Sequence, residues 1–182
     1  MRTTRSRTAV AATIAGALLA LASPALAHAE APQTNDPKPT RLPAVEASRI
    51  KNLKSGKYLQ AASTTNGAKV TQQPYNSDTT LQTWETYLFS DYYTFENFGA
   101  GKNLGIDGAS TASGATAIIA NGSSDLNQDW IVDWSVYDGN HFALKNRKSG
   151  LCLGISGAST ATGAQAAQFR CDGSTNQGWS WA

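Results

Sequence analysis

The sequence predicts an all-β domain in which three similar units surround a pseudo-threefold axis. A segment with one pattern of Gly, Leu, Gln and Trp occurs three times, at a period of about 45 to 50 residues, which is typical of repeat architectures. Within each copy, short apolar stretches alternate with clusters of Gly, Asn, Ser and Asp, a pattern that indicates short strands joined by tight turns. No stretch after the first 47 residues shows the periodicity of an amphipathic helix.

The three copies align through "IKNLKSGKYLQAA", "FENFGAGKNLGID" and "LKNRKSGLCLGIS", and each closes on Gln-x-Trp. They span approximately 48–92, 93–140 and 141–182. About four short strands per copy cannot bury a core alone, but three copies can close a barrel and cap it. A propeller is the rival architecture, and its blades usually number four or more. The recurring positions are Asn52, Asn97 and Asn146; Gly56, Gly101 and Gly150; Leu59, Leu104 and Leu153; Gln82, Gln128 and Gln177; and Trp84, Trp130 and Trp179.

The first 29 residues are typical of a secretory signal peptide. Three arginines precede an apolar run from Ala9 to Ala22, and small residues around Ala27 fit the cleavage rule. A membrane helix is the alternative, but the run is shorter than the ~20 residues that span a bilayer. Residues 30–47 contain four prolines and mixed charges, which predicts a linker before a folded domain at 48–182.

The composition favours an exported domain without a nucleic-acid or membrane partner. Charged residues make up 15% of the chain and the formal net charge is +2, so no basic surface is expected. The chain contains two cysteines, Cys152 and Cys171. In an exported protein we expect them to pair, closing a loop whose entropy is worth ~3 kcal/mol. A metal pair is the alternative, which the lack of a neighbouring histidine disfavours. We therefore expect a secreted monomer without cofactor.

The repeat pattern resembles that of the ricin B-chain-type lectins, which are β-trefoil carbohydrate-binding modules. The resemblance rests on the "N-x-x-SG-x-x-L" element, a Gly-Ala turn in mid-repeat and three Gln-x-Trp motifs in phase, and it covers residues 48–182. It implies a β-trefoil fold and a disulfide within the third repeat, between Cys152 and Cys171. The tryptophans are expected to fill the shared core, and the glutamines to satisfy nearby backbone groups.

The resemblance also implies shallow sugar pockets, up to one in each repeat. Such a pocket needs an acid or amide for vicinal hydroxyls, an aromatic face for the C–H face of the sugar, and an asparagine for orientation. The family's acid position falls on Gln60, Gly105 and Gly154, and none of these is Asp. This departure argues against galactose-type binding.

Each copy nevertheless retains part of the pattern. Asp107 lies two positions after Gly105, and residues i and i+2 share a face on a strand, so Asp107 is expected to substitute for the acid. In the third copy, Ser156 and Asp172 are further polar candidates. The expected carbohydrate-binding residues are Phe169, Asn176 and Gln177 in the third copy, Asp107, Asn127 and Gln128 in the second, and Gln60 and Tyr75 in the first.

Catalytic residues are not expected. The histidines are His28, at the signal cleavage site, and His141, which is expected to be a turn residue rather than a base. Asp129 and Asp133 are the only close pair of carboxylates that suggests a glycosidase, and both are expected to be solvated. We expect a non-enzymatic secreted lectin that combines weak pockets by multivalency. The alternative is a trefoil that has lost sugar binding and recognises a protein partner, for example as a protease inhibitor.

Overall fold

The computed structural model describes residues 47–182, in which the backbone forms twelve strands and five one-turn 3-10 helices. The predicted signal peptide, and the predicted linker apart from Ala47, lie outside the described residues. The strands are β1 (Ala47–Asn52), β2 (Tyr58–Ala61), β3 (Val70–Gln73), β4 (Thr83–Phe89), β5 (Tyr92–Asn97), β6 (Lys102–Ile106), β7 (Ala117–Ala120), β8 (Trp130–Asp133), β9 (Ala143–Asn146), β10 (Cys152–Ile155), β11 (Ala166–Phe169) and β12 (Trp179–Trp181). The 3-10 helices are Thr80–Gln82, Asp107–Ala109, Leu126–Gln128, Ser156–Ala158 and Thr175–Gln177.

Six of the strands form a closed barrel and the other six form three hairpins. β1 pairs with β12 and β4, and β5 pairs with β4 and β8, which in turn pairs with β9. Reciprocal backbone hydrogen bonds between Phe142 and Trp179 join the β9 and β12 ends of this ring. The hairpins are β2–β3, β6–β7 and β10–β11, one for each repeat. The predicted all-β trefoil of three Gln-x-Trp repeats is confirmed.

The core repeats the same contact three times. Trp84, Trp130 and Trp179 are fully buried, as expected from the sequence. The indole Nε1 of each donates to a leucine carbonyl of its own repeat (Leu59, Leu104 or Leu153) at 3.0 Å. Each ring therefore buries its apolar surface without leaving its one donor unpaired.

The aligned asparagines and glycines hold the turns between successive strands. The amide nitrogens of Asn52, Asn97 and Asn146 each donate to the backbone carbonyl that precedes the glutamine of the neighbouring Gln-x-Trp motif. Each of these turns requires a residue in the left-handed backbone conformation, which glycine adopts most readily. Gly56, Gly101 and Gly150 fill this position, with φ of 66°, 58° and 70°. The repeats are thus joined to one another by the same residues that define the sequence pattern.

The three hairpins meet around the pseudo-threefold axis, where one side chain bridges all of them. The Nε2 atom of Gln165 lies 2.7 Å from the carbonyl oxygen of Val70, 3.1 Å from that of Ala117 and 2.7 Å from that of Ala166. These three acceptor residues begin β3, β7 and β11, the second strands of the three hairpins. In the first and second repeats the position of Gln165 is taken by Lys69 and Thr116.

We expect Gln165→Ala to lower the free energy of unfolding by about 2 to 3 kcal/mol, because three converging carbonyls lose one shared donor. Gln73→Ala is the matched control, since the amide of Gln73 donates to the hydroxyl of its strand neighbour Thr71. Urea denaturation followed by tryptophan fluorescence would measure both. Equal, small effects of the two substitutions would show that Gln165 does not secure the axis.

The structure contains no helix, within residues 47–182, of the length and apolarity needed to cross a membrane.

Candidate carbohydrate site

The glutamine of each Gln-x-Trp motif holds the loop that runs from the hairpin to the motif. Its Nε2 donates to a carbonyl at the start of the loop, and its Oε1 accepts from a backbone amide two residues further on. The amide group of each glutamine is therefore engaged within the protein. The loop partners are Pro74 and Asn76 for Gln82, Asn121 and Ser123 for Gln128, and Arg170 and Asp172 for Gln177.

The third repeat contains an open depression of about 390 Å³ beside this loop. Its wall combines an aromatic ring, a carboxylate, a hydroxyl and two amides, and its remaining lining is apolar or backbone. A volume of this size suits a small organic molecule, and mixed linings of this kind are usual for such sites. The lining residues are Ile155, Gly157, Ala158, Phe169, Asp172, Ser174, Asn176 and Gln177.

Phe169 and Asn176 are packed closely over Gly154. A Cβ atom placed on Gly154 would lie 3.3 Å from Cδ2 of Phe169, 3.3 Å from Nδ2 of Asn176 and 2.9 Å from Cγ of Gln177. The amide of Asn176 also donates to the carbonyl of Ile155. The third repeat therefore has no room for a side chain at the position where the family places its acid, unless Gln177 moves.

Asp172 supplies a carboxylate from the loop that follows β11. Its Oδ1 accepts from the backbone amide of Ser174 at 2.9 Å. Hydrogen bonds from the hydroxyl and backbone amide of Ser174 hold the pKa of Asp172 below its ordinary value. The carboxylate is thus ionised at neutral pH and accepts hydrogen bonds only.

The sequence pattern identified part of this depression. Phe169, Asn176 and Gln177 line it, as does the further candidate Asp172, whereas Ser156 is not among the lining residues. The pattern did not single out three other lining residues, Ser174, Gly157 and Ala158. A sequence signal for Gly157 and Ala158 was available, because "GAST" occurs in both the second and third copies. In the structure the alanines of these two segments, Ala109 and Ala158, share an unusual positive φ of 50° and 49°.

The second repeat places its expected residues differently. β6 ends at Ile106, so Asp107 lies exposed at the start of a 3-10 helix and not on the strand face shared with Gly105. Asn127 is buried and donates to the carbonyl of Ile106, while its Oδ1 has no hydrogen-bond partner. Gln128 is buried as well, and Ala120 lies where the third repeat has its ring.

The two residues expected to bind sugar in the first repeat, Gln60 and Tyr75, contact different parts of the protein. The Oε1 of Gln60 accepts from Nε2 of Gln82 at 2.9 Å. The ring of Tyr75 instead packs against Tyr58, with centroids 5.4 Å apart, and under the guanidinium of Arg49 at 5.0 Å. Gln60 is therefore tied to the Gln-x-Trp loop, and Tyr75 is part of a stack on the neighbouring surface.

The expected disulfide between Cys152 and Cys171 is present, with a Cα–Cα distance of 5.0 Å. It joins the third hairpin to the loop that carries Asp172. Aligning the hairpins puts Tyr58 and Tyr75 at the same two positions in the first repeat. The two positions that a disulfide joins in the third repeat are thus occupied by two packed tyrosine rings in the first.

The carboxylates considered for catalysis lie in different environments. The expectation that Asp129 is solvated is wrong: its side chain is buried, and its Oδ2 lies 3.2 Å from Nη1 of Arg147. Asp129 is the middle residue of the second repeat's Gln-x-Trp motif, and Arg147 lies in the first turn of the next repeat. The guanidinium of Arg147 also lies over the ring of Tyr92. Asp133 accepts a hydrogen bond from the hydroxyl of Ser135.

In the described residues no group of three or more His, Cys, Asp and Glu could hold a metal ion.

Comparison with known families places nearly all of the described domain in one of them. The sequence profile of the ricin-type β-trefoil lectin domain matches residues 46–179. The chain belongs to this lectin-domain family. Comparison with curated protein sequences gave no match.

Solved structures of trefoil lectins and related proteins share the fold. The designed threefold-symmetric protein ThreeFoil is 32% identical, with a TM-score of 0.71, and the alignment covers 75% of this chain and 97% of ThreeFoil. The ricin B-like lectin of Macrolepiota procera, solved with lactose, is 21% identical with a TM-score of 0.67, over 78% of this chain and 98% of that lectin. The exo-β-1,3-galactanase 1,3Gal43A of Clostridium thermocellum is 23% identical with a TM-score of 0.71, over 78% of this chain but 31% of the enzyme.

Within this lectin-domain family, the present chain combines a threefold backbone with three unlike surfaces. The buried tryptophans, their leucine acceptors and the loop-holding glutamines are the same in all repeats. The groups around Gly154, Gly105 and Gln60 differ in each. A ring, a carboxylate and an asparagine line one depression in the third repeat.

Proposed function

We propose that this chain is a secreted, monomeric carbohydrate-binding protein that recognises a glycan through the third-repeat depression and does not catalyse a reaction. The observation that carries the proposal is the convergence of Phe169, Asp172 and Asn176 around one open volume of about 390 Å³. The ring suits the C–H face of a pyranose, the ionised carboxylate accepts from sugar hydroxyls, and the amide can both donate and accept.

Family membership supports this proposal. The Macrolepiota procera lectin was solved with lactose, and a Polyporus squamosus lectin of the same fold was solved with a sialylated trisaccharide. In our chain Asp172 on the loop after β11 supplies a carboxylate to this depression, whereas Gly154, at the family's acid position, supplies none. The chain would then bind a sugar through Phe169, Asp172 and Asn176, with the carboxylate on a loop instead of at the family's position on the strand.

The second repeat supports a weaker additional contact. Asn127 is buried, and its Oδ1 has no hydrogen-bond partner in the described protein. This oxygen is enclosed by protein, but the amide of Asn127 donates to the carbonyl of Ile106, and the carboxylate of the next residue, Asp107, is exposed and can accept from a sugar hydroxyl. Without an aromatic ring, this repeat would add avidity to the third repeat rather than bind strongly alone.

The non-catalytic part of the proposal rests on how the candidate groups are engaged. His141, the one histidine of residues 47–182, has its Nδ1 2.8 Å from Oδ1 of Asp138. The hydroxyl of Ser135 donates to Asp133. Asp129, the other carboxylate considered, is ion-paired with Arg147. None of these groups lines the third-repeat depression.

A trefoil that binds a protein partner is the second candidate, and the absence of an acid at all three family positions favours it. A survey on a glycan array and on insoluble xylan, chitin, cellulose and arabinan distinguishes the two. Retention that a free sugar competes away supports carbohydrate binding. A folded, oxidised sample that binds no glycan contradicts it and favours a protein partner.

We expect Phe169→Ala to weaken sugar binding at least tenfold, because the C–H face of the sugar loses its aromatic surface. Phe98→Ala is the matched control, since Phe98 is an exposed ring outside the depression. Isothermal titration with lactose, xylobiose, cellobiose and diacetylchitobiose would measure both variants. An equal loss of affinity in the two variants, or none in Phe169→Ala, would place the sugar elsewhere.

A further inference from the structure

The connections between successive repeats differ in length. β4 ends at Phe89 and β5 begins at Tyr92, so residues 90–91 join the first repeat to the second. β8 ends at Asp133 and β9 begins at Ala143, so residues 134–142 join the second repeat to the third. The longer connection therefore provides side chains that have no counterpart between the first two repeats.

This longer connection packs against one edge of the third-repeat depression. The hydroxyl of Tyr137 donates to the backbone carbonyl of Ser174 at 2.9 Å. Val136 lies beside Gly173, where a Cβ atom would be 3.7 Å from Cγ1 of the valine. We call residues 171–175 the rim loop, because Asp172 and Ser174 within it line the depression.

The Gln-x-Trp motif of the third repeat is shaped to receive Tyr137. Its middle residue is Gly178, where the other repeats have Thr83 and Asp129. A Cβ atom on Gly178 would lie 3.1 Å from Cζ of Tyr137 and 2.9 Å from Cδ2 of Leu53. The repeat with the depression is therefore also the repeat whose motif leaves space for the tyrosine.

The rim loop is held at both ends. The disulfide fixes its first residue, Cys171, and the carbonyl of Ser174 near its other end accepts from both the hydroxyl of Tyr137 and the backbone amide of Gln177. Between these anchors Ser174 hydrogen-bonds the carboxylate of Asp172. Burial, and then the negative charge of Asp172, raise the pKa of Tyr137 to about 12, so the phenol keeps its proton and donates throughout the neutral range.

We propose that Tyr137 is a positioning residue for the third-repeat sugar pocket: its hydrogen bond to Ser174 keeps the rim loop, and with it the carboxylate of Asp172, in the geometry that binds sugar hydroxyls. The inference rests on the proposed function, since it assigns a role at the same site. A pre-ordered loop raises affinity because less conformational entropy is lost on binding.

The test replaces one hydroxyl. We expect Tyr137→Phe to weaken the binding of lactose, xylobiose, cellobiose or diacetylchitobiose about three- to tenfold, whichever the wild-type chain binds. Tyr87→Phe is the matched control, because the hydroxyl of Tyr87 also donates one hydrogen bond, to Glu85, and Tyr87 lies outside the depression. The control is expected to bind as the wild type does.

Two further readouts separate positioning from general stability. Nuclear relaxation of the backbone amides should show larger motion of the rim loop in ligand-free Tyr137→Phe than in the wild type. In an Asp172→Asn background, Tyr137→Phe should have a clearly smaller effect on affinity, because interacting sites are non-additive.

The outcomes are distinct. If the wild-type chain binds a sugar and Tyr137→Phe binds it equally well, with an unchanged rim loop, the inference fails and the proposed function stands. If the wild-type chain binds no sugar, both fail. If Tyr137→Phe and Tyr87→Phe lose affinity equally, the tyrosine has no specific role at the pocket.

Discussion

Replacing Trp179 with alanine is expected to lower the free energy of unfolding by about 3 to 5 kcal/mol, the usual range for a fully buried aromatic residue. The side chain is completely buried, and its Nε1 donates to the carbonyl of Leu153. The substitution leaves a large cavity in the shared core and an acceptor without its donor. Guanidinium denaturation followed by circular dichroism would measure the change.

The chain contains its own control for this substitution. Trp134 is 42% exposed and contacts Phe142 edge-on. Trp134→Ala should therefore cost about 1 kcal/mol, much less than Trp179→Ala. If both substitutions destabilise the protein equally, the three buried tryptophans are not the centre of the core.

Removing the disulfide is expected to lower the free energy of unfolding by about 3 kcal/mol, because the bond closes a loop of roughly 20 residues in the unfolded chain. The double variant Cys152→Ala, Cys171→Ala tests this by urea denaturation. Because Cys171 begins the rim loop, sugar affinity should fall as well. The fold itself should persist, since the barrel and core lie elsewhere.

The first repeat offers a comparison for the disulfide. Its ring pair, Tyr58 and Tyr75, occupies the same two positions without a covalent bond. Tyr75→Ala removes that contact from an exposed site and should cost at most about 1 kcal/mol. A change of under 1 kcal/mol in the double cysteine variant would contradict the loop-entropy argument for the disulfide.

The fold was predictable because its determinants recur in phase. A tryptophan closes each copy, and the leucine whose carbonyl accepts its hydrogen bond recurs at a matching position, so both are visible as a repeat in the amino-acid sequence. The alternation within strands such as Tyr58–Ala61, where every second residue is buried, is likewise local information. The disulfide was predicted because the sequence contains two cysteines, Cys152 and Cys171, and because the family resemblance implies a bond between them.

The site was predictable only in part, because its decisive contacts are not repeated. The glutamines satisfy backbone groups, as expected, and Gln177 lines the depression while both ends of its amide engage the loop that follows β11. Tyr137 comes from a connection that varies in length, so the repeat pattern did not indicate a role for it. The exposure of Asp107 depends on where β6 ends, and the burial of Asp129 depends on an arginine in the next repeat.

The assignment of the carbohydrate site to the third repeat can be tested by titrating the isotopically labelled, oxidised protein with lactose, xylobiose, cellobiose and diacetylchitobiose and following its backbone amide signals. We expect at least one sugar to shift the signals of Phe169, Asp172, Ser174 and Asn176, while those of the first repeat's Tyr75 stack stay in place. No shift with any of the sugars, or shifts confined to residues outside the third repeat, would contradict the assignment of the carbohydrate site.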